Sequence, residues 1–225
     1  MRNRLRLLLL LSLLLCILQA LPEDAVPAFA ASGHLIWIDL QSMSLTLYEN
    51  QEQVGRWPIA AGAKETPTPV GVFVINKRFR PESESGFGTR FLGLNVPWGQ
   101  YGIHGTNRPG SIGNHASHGC IRMYNRDVEQ LYKLTPNYTR VVIENGPYGL
   151  LGWSLPILRR DSRGSQVLAA QRQLTRLGYY DGAMDGIYGR GMTEAVKRFK
   201  EDHGLPEEDV IDGATWDAMG VILFD

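Results

Sequence analysis

Apolar and polar positions alternate through the first half of the chain. In SLTLYE, Leu45 and Leu47 alternate with Ser44 and Thr46, and the preceding HLIWIDL is rich in β-branched and aromatic residues, so both stretches predict strands. ENQE, after SLTLYE, reads as a turn and QVGRWPIAAG as the returning partner strand. TPTPVG is a rigid turn, because each proline fixes φ and lacks an N–H donor. VFVINKRF, YGIHGTN (ending near His104) and RVVIEN add further strands, while the polar, Gly-rich RPESESGFGTR reads as a surface loop bordering a cleft. One interruption is helical: NRDVEQLYKLT places Val128, Leu131 and Tyr132 on one face, with Asn125 positioned to cap it.

Beyond GPYGLLGWSLP the period changes from two to 3.6. In SQVLAAQRQLTRLGYY, Val167, Ala170, Leu174 and Leu177 share a helix face, and Gly178 supplies the stop. TEAVKRFKEDHG repeats the arrangement, using Met192, Ala195, Val196 and Phe199, and GATWDAMG gives a last turn carrying Trp216. The expected fold is therefore a mainly β domain, β-sandwich-like with a short helix after its cysteine, followed by a small all-α three-helix domain. The boundaries are 33–145 for the first, 146–158 for a linker and 159–222 for the second. Few contacts are expected to cross that linker.

The N-terminus adds a compartment. Arg2, Arg4 and Arg6 precede a Leu-rich run to Leu18, the layout of a secretory signal peptide over 1–30, with small-residue cleavage patterns at Ala20 and Ala30. An uncleaved membrane anchor is the alternative. After Ala30 no stretch is apolar for long enough to span a bilayer, so no stable membrane insertion is expected after cleavage. The 225 residues carry a formal net charge of zero, which argues against nucleic acid as a partner.

Cleavage would remove Cys16 and leave Cys120 as the sole thiol, unable to form an internal disulfide. A buried structural cysteine, a metal ligand and a nucleophile are the three readings. An exported chain gains little from one oxidisable structural thiol. A metal would use His115, His118 and Cys120, with or without His104, but HASHGC matches no common zinc spacing. A nucleophile needs a base and oxyanion donors. Only His203 follows Cys120, so the base must come from His34, His104, His115 or His118; His118, two residues away, would share a strand face with the thiol. Gly119 lets the backbone approach a substrate carbonyl closely. No Asp or Glu lies between Gly86 and Arg126, so a backbone carbonyl is the economical group to orient the histidine.

These residues resemble a known signature. IHGTN followed by SHGCIRM is similar to the catalytic motif of L,D-transpeptidases, and IWIDLQSMSLTLYENQEQVGRWPIAAG with TPTPVGVF extends the likeness over about 34–144. Arg122 departs from the Asn of many members. The stretch from GSQVLAAQRQL to FKEDHGL, with IDGATW, resembles the type 1 peptidoglycan-binding domain.

The resemblance implies that Cys120 attacks the third residue of a peptidoglycan tetrapeptide stem and expels D-Ala. His104 would act as base, oriented near Gly105, with Ser117, His118 and Gly119 supporting the site and its oxyanion hole. A neighbouring stem amine would resolve the thioester into a 3→3 cross-link, serving wall assembly and cell shape. Arg122 would bind a stem carboxylate or brace its loop. No cofactor and no metal are implied. The alternatives are an L,D-carboxypeptidase on the same residues and a non-catalytic wall-binding protein. In the helical domain, Tyr179, Tyr180, Tyr188 and Trp216 are the rings available to stack on sugars. A chain ending near Leu155 is expected to acylate soluble stem peptide yet bind insoluble wall poorly.

Overall fold

The computed structural model describes residues 33–82, 85–146, 149 and 155–221. The signal-peptide reading of 1–30 and most of the 146–158 linker lie outside the described residues. The β domain is built on an eight-stranded mixed sheet. β1 (His34–Asp39) and β2 (Ser44–Glu49) pair antiparallel, and β2 pairs with β3 (Glu52–Pro58) through the expected turn, where Asn50 and Gln51 take φ of 51° and 72°. Those left-handed values match the twist that a tight hairpin demands.

Two short strands, β4 (Ala61–Gly62) and β8 (His115–Ser117), pair parallel outside the main sheet. The rest of the large sheet comes from β5 (Gly71–Phe79), β6 (Phe91–Leu94), β7 (Tyr101–His104), β9 (Ile121–Arg122) and β10 (Arg140–Glu144). The order across it is β3-β2-β1-β10-β5-β6-β7-β9. β10 enters between β1 and β5, so chain-distant segments close the core around Ile36, Ile38, Ile75, Val141 and Ile143. Alternation predicted β2, and strand-favouring residues between turn signals predicted β1, β3, β5, β7 and β10. Both missed β6, where FLGL is too short and too uniformly apolar to alternate.

Helix α1 (Asn125–Leu134) follows β9 and buries Val128 and Leu131 against the same core. Its start differs from expectation. Asn125 does not cap it; Tyr124 holds the cap position with no side-chain bond, and the Asn125 amide is used elsewhere.

The C-terminal helices are α2 (Ser165–Arg176), α3 (Arg190–Asp202) and α4 (Gly213–Ala218). They enclose a second core of Val167, Ala170, Leu174, Met192, Val196 and Phe199. Leu177 falls outside it, 40% exposed, because α2 ends one residue earlier. Asp212 caps α4 by accepting from the Thr215 N–H at 2.9 Å. Tyr188 and Trp216, counted above among sugar-stacking rings, are completely buried, with Tyr188 donating to the Asp209 carbonyl and Trp216 to that of Pro156. Tyr179 and Tyr180 alone of the four keep partial exposure.

The boundary between the halves is crossed. The Val70 N–H donates to Ser165 Oγ at 2.9 Å, and Gly186 lies against the Trp98 ring.

Candidate active site

β7 and β9 run parallel with Ile103 opposite Ile121 and His104 opposite Arg122. Ile103 and Ile121 point into the core, fully buried. Side chains alternate along a strand, so His104 and Arg122 lie on the other face, and continuing the register sets Cys120 beside Gly102. Four positions thus converge on one sheet face: a thiol, an imidazole, a guanidinium and a glycine that leaves space between them. β9 is held from its far side too, since Ala60 and Arg122 exchange both backbone hydrogen bonds at 2.9 Å.

The turn that presents Cys120 is tied by Ser117. Its hydroxyl donates to the Cys120 carbonyl at 2.5 Å and accepts from the Gly119 N–H at 3.1 Å. Gly119 has φ +102°, and a Cβ there would lie 2.6 Å from the Tyr101 ring, so any other residue would be both strained and obstructed. That same backbone geometry turns His118 outward. His118 is exposed and has no hydrogen bond among the described residues, and His115 directs Nδ1 to the Gly62 carbonyl at 3.0 Å. Neither converges with Cys120 as a metal site would need, and no group of three His, Cys, Asp or Glu side chains does so among the described residues.

His104 is 3% exposed. Phe91 stacks parallel to its ring with centroids 5.8 Å apart, and Phe87 meets it edge-on at 5.0 Å. Its Nδ1 lies 2.5 Å from the Gly105 carbonyl oxygen, an atom that can only accept. The proton of neutral imidazole therefore resides on Nδ1, leaving the lone pair on Nε2. Burial pushes the His104 pKa down to about 4, with the nearby Arg122 charge adding to the effect and the Gly105 and Phe87 carbonyls opposing it.

Burial also raises the Cys120 thiol above its ordinary value, opposed by hydrogen bonding from the Gly102 backbone and by the Arg122 charge. At neutral pH the pair is accordingly a neutral thiol with a neutral imidazole. From that state, attack by the sulfur requires the thiol proton to leave with it, and the His104 Nε2 lone pair and the Arg122 charge are groups on this face chemically able to accept the proton and to favour a thiolate.

This sets a pH dependence. Alkylation of Cys120 by iodoacetamide should rise about tenfold per pH unit from pH 6 to at least pH 8.5, since thiolate remains the minor form throughout. A plateau beginning between pH 5 and 7, read from stopped-time mass spectra, would instead indicate a preformed thiolate–imidazolium pair.

Asn125 is the residue that sequence reasoning misassigned. Its Oδ1 accepts from the Thr106 N–H at 3.1 Å and the Thr89 N–H at 3.3 Å. The Thr106 N–H belongs to the same peptide unit as the Gly105 carbonyl that orients His104. Asn125 thus fixes the plane of that peptide from its opposite edge, in a space left by Gly88 and Gly105, where a Cβ on either would meet Oδ1 at 2.2 Å. The available signal was the pairing of IHGTN with an Asn just after HGCIRM, which was absorbed into a capping reading.

Asn125→Leu would leave two N–H donors without their acceptor. It should lower unfolding free energy by about 2 kcal/mol in urea titration, whereas Asn125→Asp, which keeps the accepting oxygen, should cost less. Equal losses for the two variants would show that the acceptor is not what matters.

Residues 33–143 match the L,D-transpeptidase catalytic domain, and residues 163–219 match a peptidoglycan binding domain. The protein named L,D-transpeptidase YkuD of Bacillus licheniformis is 48% identical over 108 residues, covering 48% of this chain and 64% of that one. The protein named L,D-transpeptidase YqjB of Bacillus subtilis is 32% identical over 120 residues, covering 47% of this chain and 68% of its own length. The chain thus spans 64% of the length of the YkuD relative. Among solved structures, an L,D-transpeptidase from Mycobacterium smegmatis aligns with TM-score 0.43 and 21% identity, over 50% of this chain and 59% of that one. With a mainly β catalytic domain that presents a cysteine and a histidine on one sheet face, and a helical domain after it, this chain belongs to the L,D-transpeptidase family, its catalytic domain joined to a C-terminal peptidoglycan-binding domain.

Proposed function

We propose that the protein is an exported L,D-transpeptidase that uses Cys120 to form a thioester with a peptidoglycan stem peptide and resolves it on a neighbouring stem amine, making 3→3 cross-links. The observation that carries this reading is the shared sheet face of Cys120, Gly102, Arg122 and His104, with the His104 tautomer set by Gly105. In the first half-reaction the Cys120 sulfur bonds to the stem carbonyl carbon and His104 Nε2 takes the thiol proton. As the C–N bond to D-Ala breaks, that proton passes to the departing amine. In the second, the acceptor amine attacks the thioester, gives a proton to His104 and returns the thiol. The peptidoglycan-binding domain supports the wall as the place where this happens, as does the Arg-plus-Leu N-terminus.

Defined disaccharide-tetrapeptides incubated with the full chain, and resolved by mass spectrometry, test the proposal. A tripeptide–tetrapeptide dimer released with one D-Ala is the expected product. Free tripeptide alone, with an amine acceptor in excess, would reassign the chain to L,D-carboxypeptidase chemistry.

A further inference from the structure

Two contacts of the helical domain with the catalytic domain, among the described residues, lead to the turn that presents Cys120. The first is Ser165, the opening residue of α2, which is 9% exposed. Its Oγ accepts from the Val70 N–H at 2.9 Å and lies 3.3 Å from the Val70 carbonyl, to which it donates. Val70 ends the proline-rich turn of residues 63–70. That turn is bound to the nucleophile's own turn: the Ala63 N–H at 2.9 Å and Thr66 Oγ1 at 3.1 Å both donate to the Ser117 carbonyl. The Pro67 carbonyl lies 3.3 Å from where a Gly119 Cβ would stand.

The second contact is Gly186, with φ +66°, where a Cβ would come within 2.5 Å of the Trp98 ring. Trp98 packs edge-on against Phe73 in the catalytic core, with ring centroids 6.0 Å apart, and its indole N–H hydrogen-bonds the Tyr101 phenol oxygen. Tyr101 in turn packs on Gly119. The loop that carries Gly186 is itself rigid, because the fully buried Gln171 accepts from the Gly186 N–H at 2.8 Å and donates to Asp185 at 2.8 Å.

We propose that the helical domain is a structural wall of the catalytic cleft as well as a wall-binding module, with Ser165 and Gly186 acting as positioning residues for the turn that presents Cys120. Ser165 sets residues 66–70 behind Gly119, and Gly186 sets Trp98 and hence Tyr101 in front of it. The inference rests on the function proposed above for what the cleft processes, but the coupling itself concerns the thiol.

The full chain with Ser165→Ala, Ser165→Thr or Gly186→Ala tests it. Four readings apply: kcat and KM on a soluble tetrapeptide stem, the iodoacetamide rate at Cys120, retention on purified sacculi, and the thermal midpoint. Misplacement of a reacting group by a distant change costs turnover more than binding, so Ser165→Ala and Gly186→Ala should lower kcat about tenfold with KM changed less than about twofold. Both should shift the alkylation rate, and both should bind sacculi as the unaltered chain does. Ser165→Thr, which keeps the hydroxyl, should recover most of kcat.

Unchanged kcat and alkylation rate in both damaging variants would overturn the proposal. So would a loss that Ser165→Thr fails to recover while the midpoint tracks it, because that pattern is one of general destabilisation. If the unaltered chain does not process the stem at all, the proposed function fails by itself. The alkylation rates of the same variants then decide the coupling.

Discussion

Replacing Cys120 by serine or alanine is expected to abolish both acyl-enzyme formation and cross-linking, while leaving the thermal midpoint nearly unchanged. The side chain is only partly buried and is not one of the residues of the hydrophobic core cluster. Its loss should therefore cost little stability but all of the chemistry. The serine variant is the informative one. It keeps a nucleophilic atom beside the same base, but a hydroxyl is far less acidic than a thiol, and the burial that already raises the thiol would disfavour an alkoxide more. Residual cross-linking by Cys120→Ala above the buffer rate would remove the thiol from the mechanism.

His104 should show the second-largest effect. Because the imidazole is neutral at working pH and no thiolate stands ready, proton removal must accompany attack, and His104→Ala should slow acylation by ~10² or more. The variant separates base catalysis from simple reactivity. Iodoacetamide alkylation at high pH draws on thiolate made by solvent hydroxide, so at pH 9.5 the variant should approach the unaltered chain. Acylation by stem peptide at pH 7 should remain slow. A His104→Ala enzyme with normal acylation at pH 7 would place the base elsewhere, and His118, exposed two residues before the thiol, would be the first alternative to examine.

Much of this arrangement was legible in the residue pattern, and what was not has specific physical causes. β2 was legible from its alternation, and β1, β3, β5, β7 and β10 from strand-favouring residues bounded by turn signals. The segments that build the site, β4, β8 and β9, span two or three residues each, too short to show a period. His118 was placed on the thiol's face by the same alternation rule. The rule fails there because β9 begins only at Ile121 and Gly119 departs from extended backbone. Asn125 was read locally, as a cap, when its partners Thr89 and Thr106 are far along the chain. The rings of Tyr188 and Trp216 were ambiguous in sequence, since a small domain needs its largest side chains for its own core.

The linker showed the same limit. Pro and Gly composition suggested a boundary with little traffic across it, yet Ser165 and Gly186 come from beyond it to contact the catalytic domain. Composition reports how a segment is built; it carries no information on which surfaces meet after the chain turns back.

The central claim is that Cys120 becomes covalently acylated by a stem peptide. Its most direct test is intact-protein mass spectrometry of the full chain mixed with a synthetic tetrapeptide stem and no acceptor, quenched in acid and followed by peptide mapping. The expected result is an added mass equal to that of the tetrapeptide stem minus one molecule of free D-Ala, since the thiol hydrogen leaves on the D-Ala amine, located at Cys120 and removed by hydroxylamine. D-Ala release without any adduct at Cys120, or an adduct mapped to another residue, would contradict it.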